Sequence, residues 1–388
     1  MRPELIIAEK EFRDHIMSKR FIAILAILLM LSAYGVVTGM DAYNQKLEQY
    51  KNPQGQSDPM RQELIASYQE QIADLEERGD SEEYAQLLRE QLNRLTNPPM
   101  PSVLEVFSGS VILFTFVGMI LGVSMGFDLI SRERDEGSLK SLVSSPIYRD
   151  AIINGKAIGA VMTLALAMGI TFIVTIAILL FKGAVPGLEE LLRLAAYFVS
   201  ALLYCSVFFS IAMMMSALTK STAMSILSTV GVVFLLVIFS VVSLILSSMV
   251  AAAIMGPAPT MSLSPISTNV SDASSNPTGS FSLNDDYMDY YRKQAALSYT
   301  ISEIVTTVSP INDFGGMMGL GVGGIGGTLL SKQDPTASLF LTGPMSDRKD
   351  LSLLDSLSLI WVKLLALIVE TVVALGITYW AFMRIDVR

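Results

Sequence analysis

Six stretches of the chain are apolar over lengths that match the thickness of a bilayer: about Phe21 to Met40, Val103 to Leu129, Ile152 to Phe181, Leu194 to Leu218, Ala223 to Met255 and Leu357 to Met383. A helix rising about 1.5 Å per residue needs roughly 20 residues to cross the hydrocarbon layer, and a backbone in lipid has to hydrogen-bond within its own segment. These stretches therefore read as transmembrane helices. Only 16% of the 388 residues are charged, against about 25% in soluble domains. The expected fold is an all-α polytopic membrane protein with six spans. The sixth span is marginal alone, because Lys363 and Glu370 near its centre cost roughly 5 to 7 kcal/mol on an insertion scale while its apolar residues return about 4 to 8.

Before the first span, Leu5, Ala8, Phe12 and Ile16 recur at helical spacing, which predicts an amphipathic helix in the interface over residues 3–19. Basic residues then orient the chain. Arg2, Lys10, Arg13, Lys19 and Arg20 precede span one, Arg132, Arg134, Lys140, Arg149 and Lys156 lie between spans two and three, and Lys220, Arg384 and Arg388 share that side. The excess of basic residues on one side places both termini in the cytoplasm of a multi-pass plasma-membrane protein. Residues 41–101 and 256–356 then form extracytoplasmic inserts, and their acidic residues account for the net charge of −9 without a basic partner or nucleic acid. The first insert reads as a helical hairpin, Arg61 to Arg78 and Ser81 to Leu95, with facing apolar stripes. The second begins with a Pro/Ser/Asn-rich stretch expected to stay irregular to about Asn284. A one-sided helix follows at Ile301, Ile304, Val305 and Val308, lying on or dipping into the outer membrane surface. One cysteine, Cys205, and one histidine, His15, leave no disulfide and no His/Cys metal centre to build.

The most informative segment joins spans two and three, from Ser131 to Lys156. Gly137 breaks the helix, Ser138 can cap a new one, Leu139, Leu142 and Val143 supply a small apolar face, and Pro146 ends it. A short helix with an exposed apolar face wants a protein partner.

In order and spacing, Arg132, Glu133, Gly137, Ser138, Leu139, Leu142, Pro146, Arg149, Gly155 and Lys156 resemble the signature of the ATP-binding cassette (ABC) type 2 permease family. The resemblance implies a coupling helix at residues 131–149, between spans two to five of a block at 102–255. Its contacts with a separate cytoplasmic ATPase would be Glu133, Glu136, Gly137, Ser138, Leu139, Leu142, Val143, Pro146 and Arg149. It also implies a homodimer or a heterodimer with a related permease. ATP and Mg would be bound by the partner subunit, with no cofactor in this chain. Both external inserts are longer than the family pattern.

No GxxxxGK[ST] loop is present. The nearest fragment, Asn154-Gly155-Lys156, has Asp150 in place of the first glycine and Ala157 in place of the hydroxyl, so no catalytic residue is expected. Gly118, Gly122 and Gly126 mark a close-packing face of span two, either within the chain or across a dimer. Gly315, Gly319, Gly323 and Gly327 repeat that spacing, as a re-entrant element or a loop. Glu370 and Lys363 are the intramembrane candidates, as an ion pair or in a substrate or proton role. The block at 1–40 is then the interfacial helix and span one, and 357–388 is span six with a cytoplasmic tail. Besides an ATP-driven exporter subunit, two readings stay open. One is a membrane receptor or assembly factor acting through the inserts; the other is an ion-coupled secondary transporter, which would need further buried ionisable sites.

Overall fold

A computed structural model describes residues 3–51, 59–78, 82–96, 101–107, 110–138, 148–258, 263–265, 281–283, 285–318 and 352–384. Among the described residues, six helices are long and apolar enough to cross a membrane. After the short α1 (Pro3–Ile16), span one is α2 (Lys19–Lys51), which runs well past its apolar block. The hairpin α3 (Pro59–Arg78) and α4 (Glu82–Thr96) follows, closed around Ile72, Ala85 and Leu88 with an Arg89–Glu76 ion pair. A 3-10 turn at Val103–Phe107 leads into span two, α5 (Ser110–Gly126), and a further turn leads into the short α6 (Ser131–Asp135). Spans three, four and five are α7 (Arg149–Phe181), α8 (Leu188–Leu218) and α9 (Thr222–Met255). Beyond them lie α10 (Asp285–Thr306), α11 (Pro310–Met318) and span six, α12 (Leu353–Met383).

Span four is the axis of the bundle. Two thirds of its apolar window is buried (67%), against 18% for span five and 17% for span six. Its inner face carries Tyr197, Phe198, Tyr204, Phe208 and Phe209, and span two packs against it along three glycines. A Cβ on Gly126 would lie 2.5 Å from the Phe209 carbonyl oxygen, and one on Gly122 would overlap the Cys205 carbonyl. At Gly118 the nearest atom is only the Cys205 Sγ, at 3.2 Å. The glycine stripe therefore faces span four of the same chain. Aromatic pairs knit the layers, with Phe114 5.6 Å from Tyr197 and Phe172 5.1 Å from Phe198 between ring centres, each worth about 0.5–1.5 kcal/mol beyond area burial. Serines and threonines in the spans return their hydroxyls to the preceding turn, as Thr115 does to Val111 and Thr171 to Ala167, so few side-chain donors are left bare in lipid.

At the end of the bundle away from α1, Glu190 accepts from Gly187 N, Ser102 Oγ and Val103 N, at 3.0, 2.8 and 3.2 Å. This pins the entry to span two against the start of span four. Three features depart from expectation. The stretch expected to stay irregular contains a small antiparallel ribbon, Leu263–Pro265 paired with Phe281–Leu283. Next, α10 folds back along span five: Tyr290 donates to the Gly256 carbonyl at 2.5 Å, while Ser309 reaches Ser240 at 2.7 Å. Finally, α11 enters the bundle, where Phe314 stacks on Tyr204 with ring centres 4.6 Å apart. The chain numbered 256–356 is thus not all outside the helix bundle. Gly315 lies in this buried helix; Gly319, Gly323 and Gly327 lie outside the described residues.

Candidate functional site

Span two ends at Gly126, and its last carbonyls and the next amides need partners outside the helix. The end of span four, the start of span five and the turn between them supply them. Ile130 N and Ser131 N both donate to Ser216 Oγ, at 3.0 and 2.9 Å, and Ser225 Oγ donates to the Phe127 carbonyl at 2.5 Å. Arg134 donates to the Thr219 carbonyl at 2.5 Å, and Asp135 accepts from Thr222 N and Oγ1, both at 2.7 Å. Span one adds an ion pair, Arg20 to Asp128 at 2.7 Å, with the guanidinium over the Phe127 ring. Residues 127–135 are therefore fastened to spans one, four and five at once.

Span three is fastened by charge. Lys156 is 2% exposed, and its Nζ lies 2.7 Å from Glu133 Oε1 and 2.7 Å from Glu11 Oε1 of α1. One ammonium holds two carboxylates, and the second oxygen of Glu133 is buried without a hydrogen-bond partner. The N-terminal helix can come this close because span three offers no side chain there. A Cβ on Gly155 would lie 2.7 Å from Ile7 Cβ, and one on Gly159 would lie 2.7 Å from the Ala8 carbonyl oxygen. The buried face of α1 is thus Ala8 and Glu11: Ala8 belongs to the expected apolar stripe, whereas Leu5 of the same stripe is more than half exposed, as is Ile6 beside it. Near the end of α1, burial pushes His15 below the ordinary imidazole pKa despite Glu11 and Asp128 nearby, and its Nε2 has no hydrogen-bond partner.

The expected contact residues distribute as follows. Glu133 is in the buried cluster; Glu136 is exposed and pairs with Arg132 at 2.8 Å. Gly137 takes φ of +72°, and Ser138 donates to the Glu133 carbonyl at 3.2 Å. Arg149 opens span three and donates to the Met383 carbonyl of span six at 3.3 Å. Leu139, Leu142, Val143 and Pro146 lie outside the described residues. Because nothing lies within 4 Å of where a Cβ on Gly137 would sit, its replacement costs backbone strain alone. Gly137→Ala is expected to lose about 1–2 kcal/mol, read as a lowered thermal midpoint in detergent; an unchanged midpoint would show that the turn relaxes freely.

The lysine of the Asn154-Gly155-Lys156 fragment is consumed by these two carboxylates. Among the described residues no group of three or more His, Cys, Asp or Glu side chains is placed to hold a metal ion. Deeper in the bundle, Lys363 Nζ is 2.6 Å from Glu303 Oε1 of α10 rather than paired with Glu370, whose Oε2 is buried without a hydrogen-bond partner. Sequence reasoning missed Glu11, Asp128, Asp135 and Asp313. Gly155 and Gly159, four apart beside a lysine, were the available signal that a helix seats on span three.

These features define a class: a multi-pass helical membrane protein whose inter-span segment is bound into the bundle from several sides, with no nucleotide-binding loop in its sequence. The profile described as ABC-2 family transporter protein matches residues 5–387, and the chain belongs to that family. It is the membrane component of an ABC transporter, a kind of subunit that typically carries no catalytic residues of its own. No curated protein matches the chain.

Proposed function

We propose that the protein is the permease subunit of an ATP-driven exporter, with both termini in the cytoplasm and a separate ATPase docking on residues 133–149. Two copies, or one copy with a related permease, enclose the pathway. The reading is supported most by the fastening of residues 127–135 to spans one, three, four and five. A push delivered at Gly137 and beyond reaches four spans through short polar links rather than through one flexible loop. Lys156 carries it further, into α1. ATP and Mg are held by the partner, whose closure does the work, and this chain converts that closure into relative motion of its spans.

The decisive experiment is co-purification from the native host. Leu139→Glu with Leu142→Glu is expected to release the ATPase while leaving the permease at its normal level in the membrane. Retention of the ATPase by that variant would move the docking surface elsewhere. Labelling of Ser138→Cys by an impermeant reagent added outside intact cells would overturn the orientation itself.

A further inference from the structure

Spans four and five are joined by only Thr219, Lys220 and Ser221, so the C-terminus of one helix lies close to the N-terminus of the next. Their spare backbone groups are of opposite kind: carbonyls with partial negative charge end span four, and amides with partial positive charge begin span five. The turn itself serves both poorly. Its one charged side chain is Lys220, the wrong sign for the start of span five, and Ser221 Oγ accepts from Met224 N only at 3.4 Å.

Two adjacent residues of α6 supply what the turn lacks. On the span-four side, Arg134 donates to the carbonyls of Thr219 and Ala217, at 2.5 and 3.5 Å. On the span-five side, Asp135 accepts from Thr222 N, the first amide of the helix, and from Thr222 Oγ1, both at 2.7 Å. Each charge meets the helix end that it stabilises, the cation at a C-terminus and the anion at an N-terminus. Glu136 and Gly137 follow at once, and the positive φ of Gly137 turns the chain. The two helices so gripped differ in freedom. Span four is the buried axis, whereas span five, with 18% of its apolar window buried, rests mainly on span four and α10.

We infer that Arg134 and Asp135 are positioning residues matched to two helix dipoles, and that they hand movement of residues 133–149 to the start of span five, with span four as the fulcrum. The hand-over rests on the reading that an ATPase drives residues 133–149; the grip on the two helix ends does not. Order along the chain matters as much as charge. Exchanging the two residues keeps the net charge and sets each one against the wrong helix end.

Spin labels on Met224→Cys, at the start of span five, and on Met383→Cys, at the end of span six, test both parts; both positions are exposed, and Cys205 is fully buried. In the permease alone, Asp135→Ala is expected to broaden the label-to-label distance distribution. Asp135→Asn, which keeps an acceptor for Thr222 without the charge, should broaden it less, and Arg134→Asp with Asp135→Arg should broaden it most. Thr222→Val, which removes one of the two bonds to Asp135, is a milder variant expected to act in the same direction. Unbroadened distributions in Asp135→Ala and in the exchange variant overturn the grip. In the complex purified with its ATPase, ATP with magnesium and vanadate is expected to shift the distance in the labelled parent. The shift should be lost in Asp135→Ala although ATP is still hydrolysed. A role in stability alone leaves the full shift in Asp135→Ala; that result, or a parent that hydrolyses ATP without any shift, overturns the hand-over. If no ATPase accompanies the permease, the exporter reading falls and the hand-over with it, while the permease alone still decides the grip.

Discussion

Lys156→Met is expected to destabilise the folded permease by about 3–5 kcal/mol, the usual cost of removing one partner from a buried ion pair. The ammonium is 2% exposed, and the Glu11 and Glu133 side chains are only 10% and 20% exposed, so water cannot take over its role. Without it two carboxylates face one another beside His15, which burial holds towards its neutral form. The damage should be local in kind: α1 loses its tether to span three, and residues 127–135 lose one of their anchors. Glu11→Gln and Glu133→Gln, which each leave a matched one-to-one pair, should cost much less. Lys156→Met combined with both glutamine changes should recover most of the loss. Thermal unfolding in detergent, together with protease sensitivity of α1, measures all of these. A melting temperature for Lys156→Met equal to that of the wild type would show that the three-way contact contributes nothing to stability.

The second large effect lies in span two, where three glycines at identical spacing should respond unequally. Gly122→Ala and Gly126→Ala place a methyl group against the main chain of span four at Cys205 and at Phe209–Met213. Backbone in a packed helix cannot step aside, so each should cost about 1–3 kcal/mol or more. Gly118→Ala meets first the Cys205 Sγ at 3.2 Å, a side-chain atom with somewhere to go, and should be nearly neutral. The comparison separates intrachain packing from a role at a subunit boundary. If Gly118→Ala were as harmful as Gly126→Ala, or if all three changed only the oligomeric state, the stripe would be serving a partner rather than span four.

Much of the fold was legible because lipid leaves a chain few choices. A segment such as Leu194 to Leu218 has no alternative to a membrane helix, and the structure extends it only to Leu188. The hairpin was legible from its apolar stripes, within a few residues of α3 and α4. The site was legible in part. Glu133, Gly137 and Lys156 stood out through the family signature, but Glu11 lies 145 positions from Lys156, and no periodicity links residues so far apart. The interfacial placement of α1 was read from its apolar stripe; Leu5 of that stripe is exposed and free to meet lipid, as is Ile6, while small Ala8 and charged Glu11, the latter outside the stripe, make the protein contact. Asp313 was overlooked because the glycine stretch after it read as a re-entrant element or a loop, and neither reading singles out a carboxylate. A carboxylate flanked by Phe314, Met317 and Met318 was the clue that this stretch is buried.

The seat for α1 has a consequence for how the protein is made. That seat is built by Gly155 and Gly159, so during synthesis it does not exist until the third hydrophobic segment has entered the membrane. A helix made before span one is therefore among the last to find its place. Until then Leu5 and Ile6 can moor it on the lipid surface, and its arrival at Lys156 closes the assembly like a clasp fastened after the garment is on.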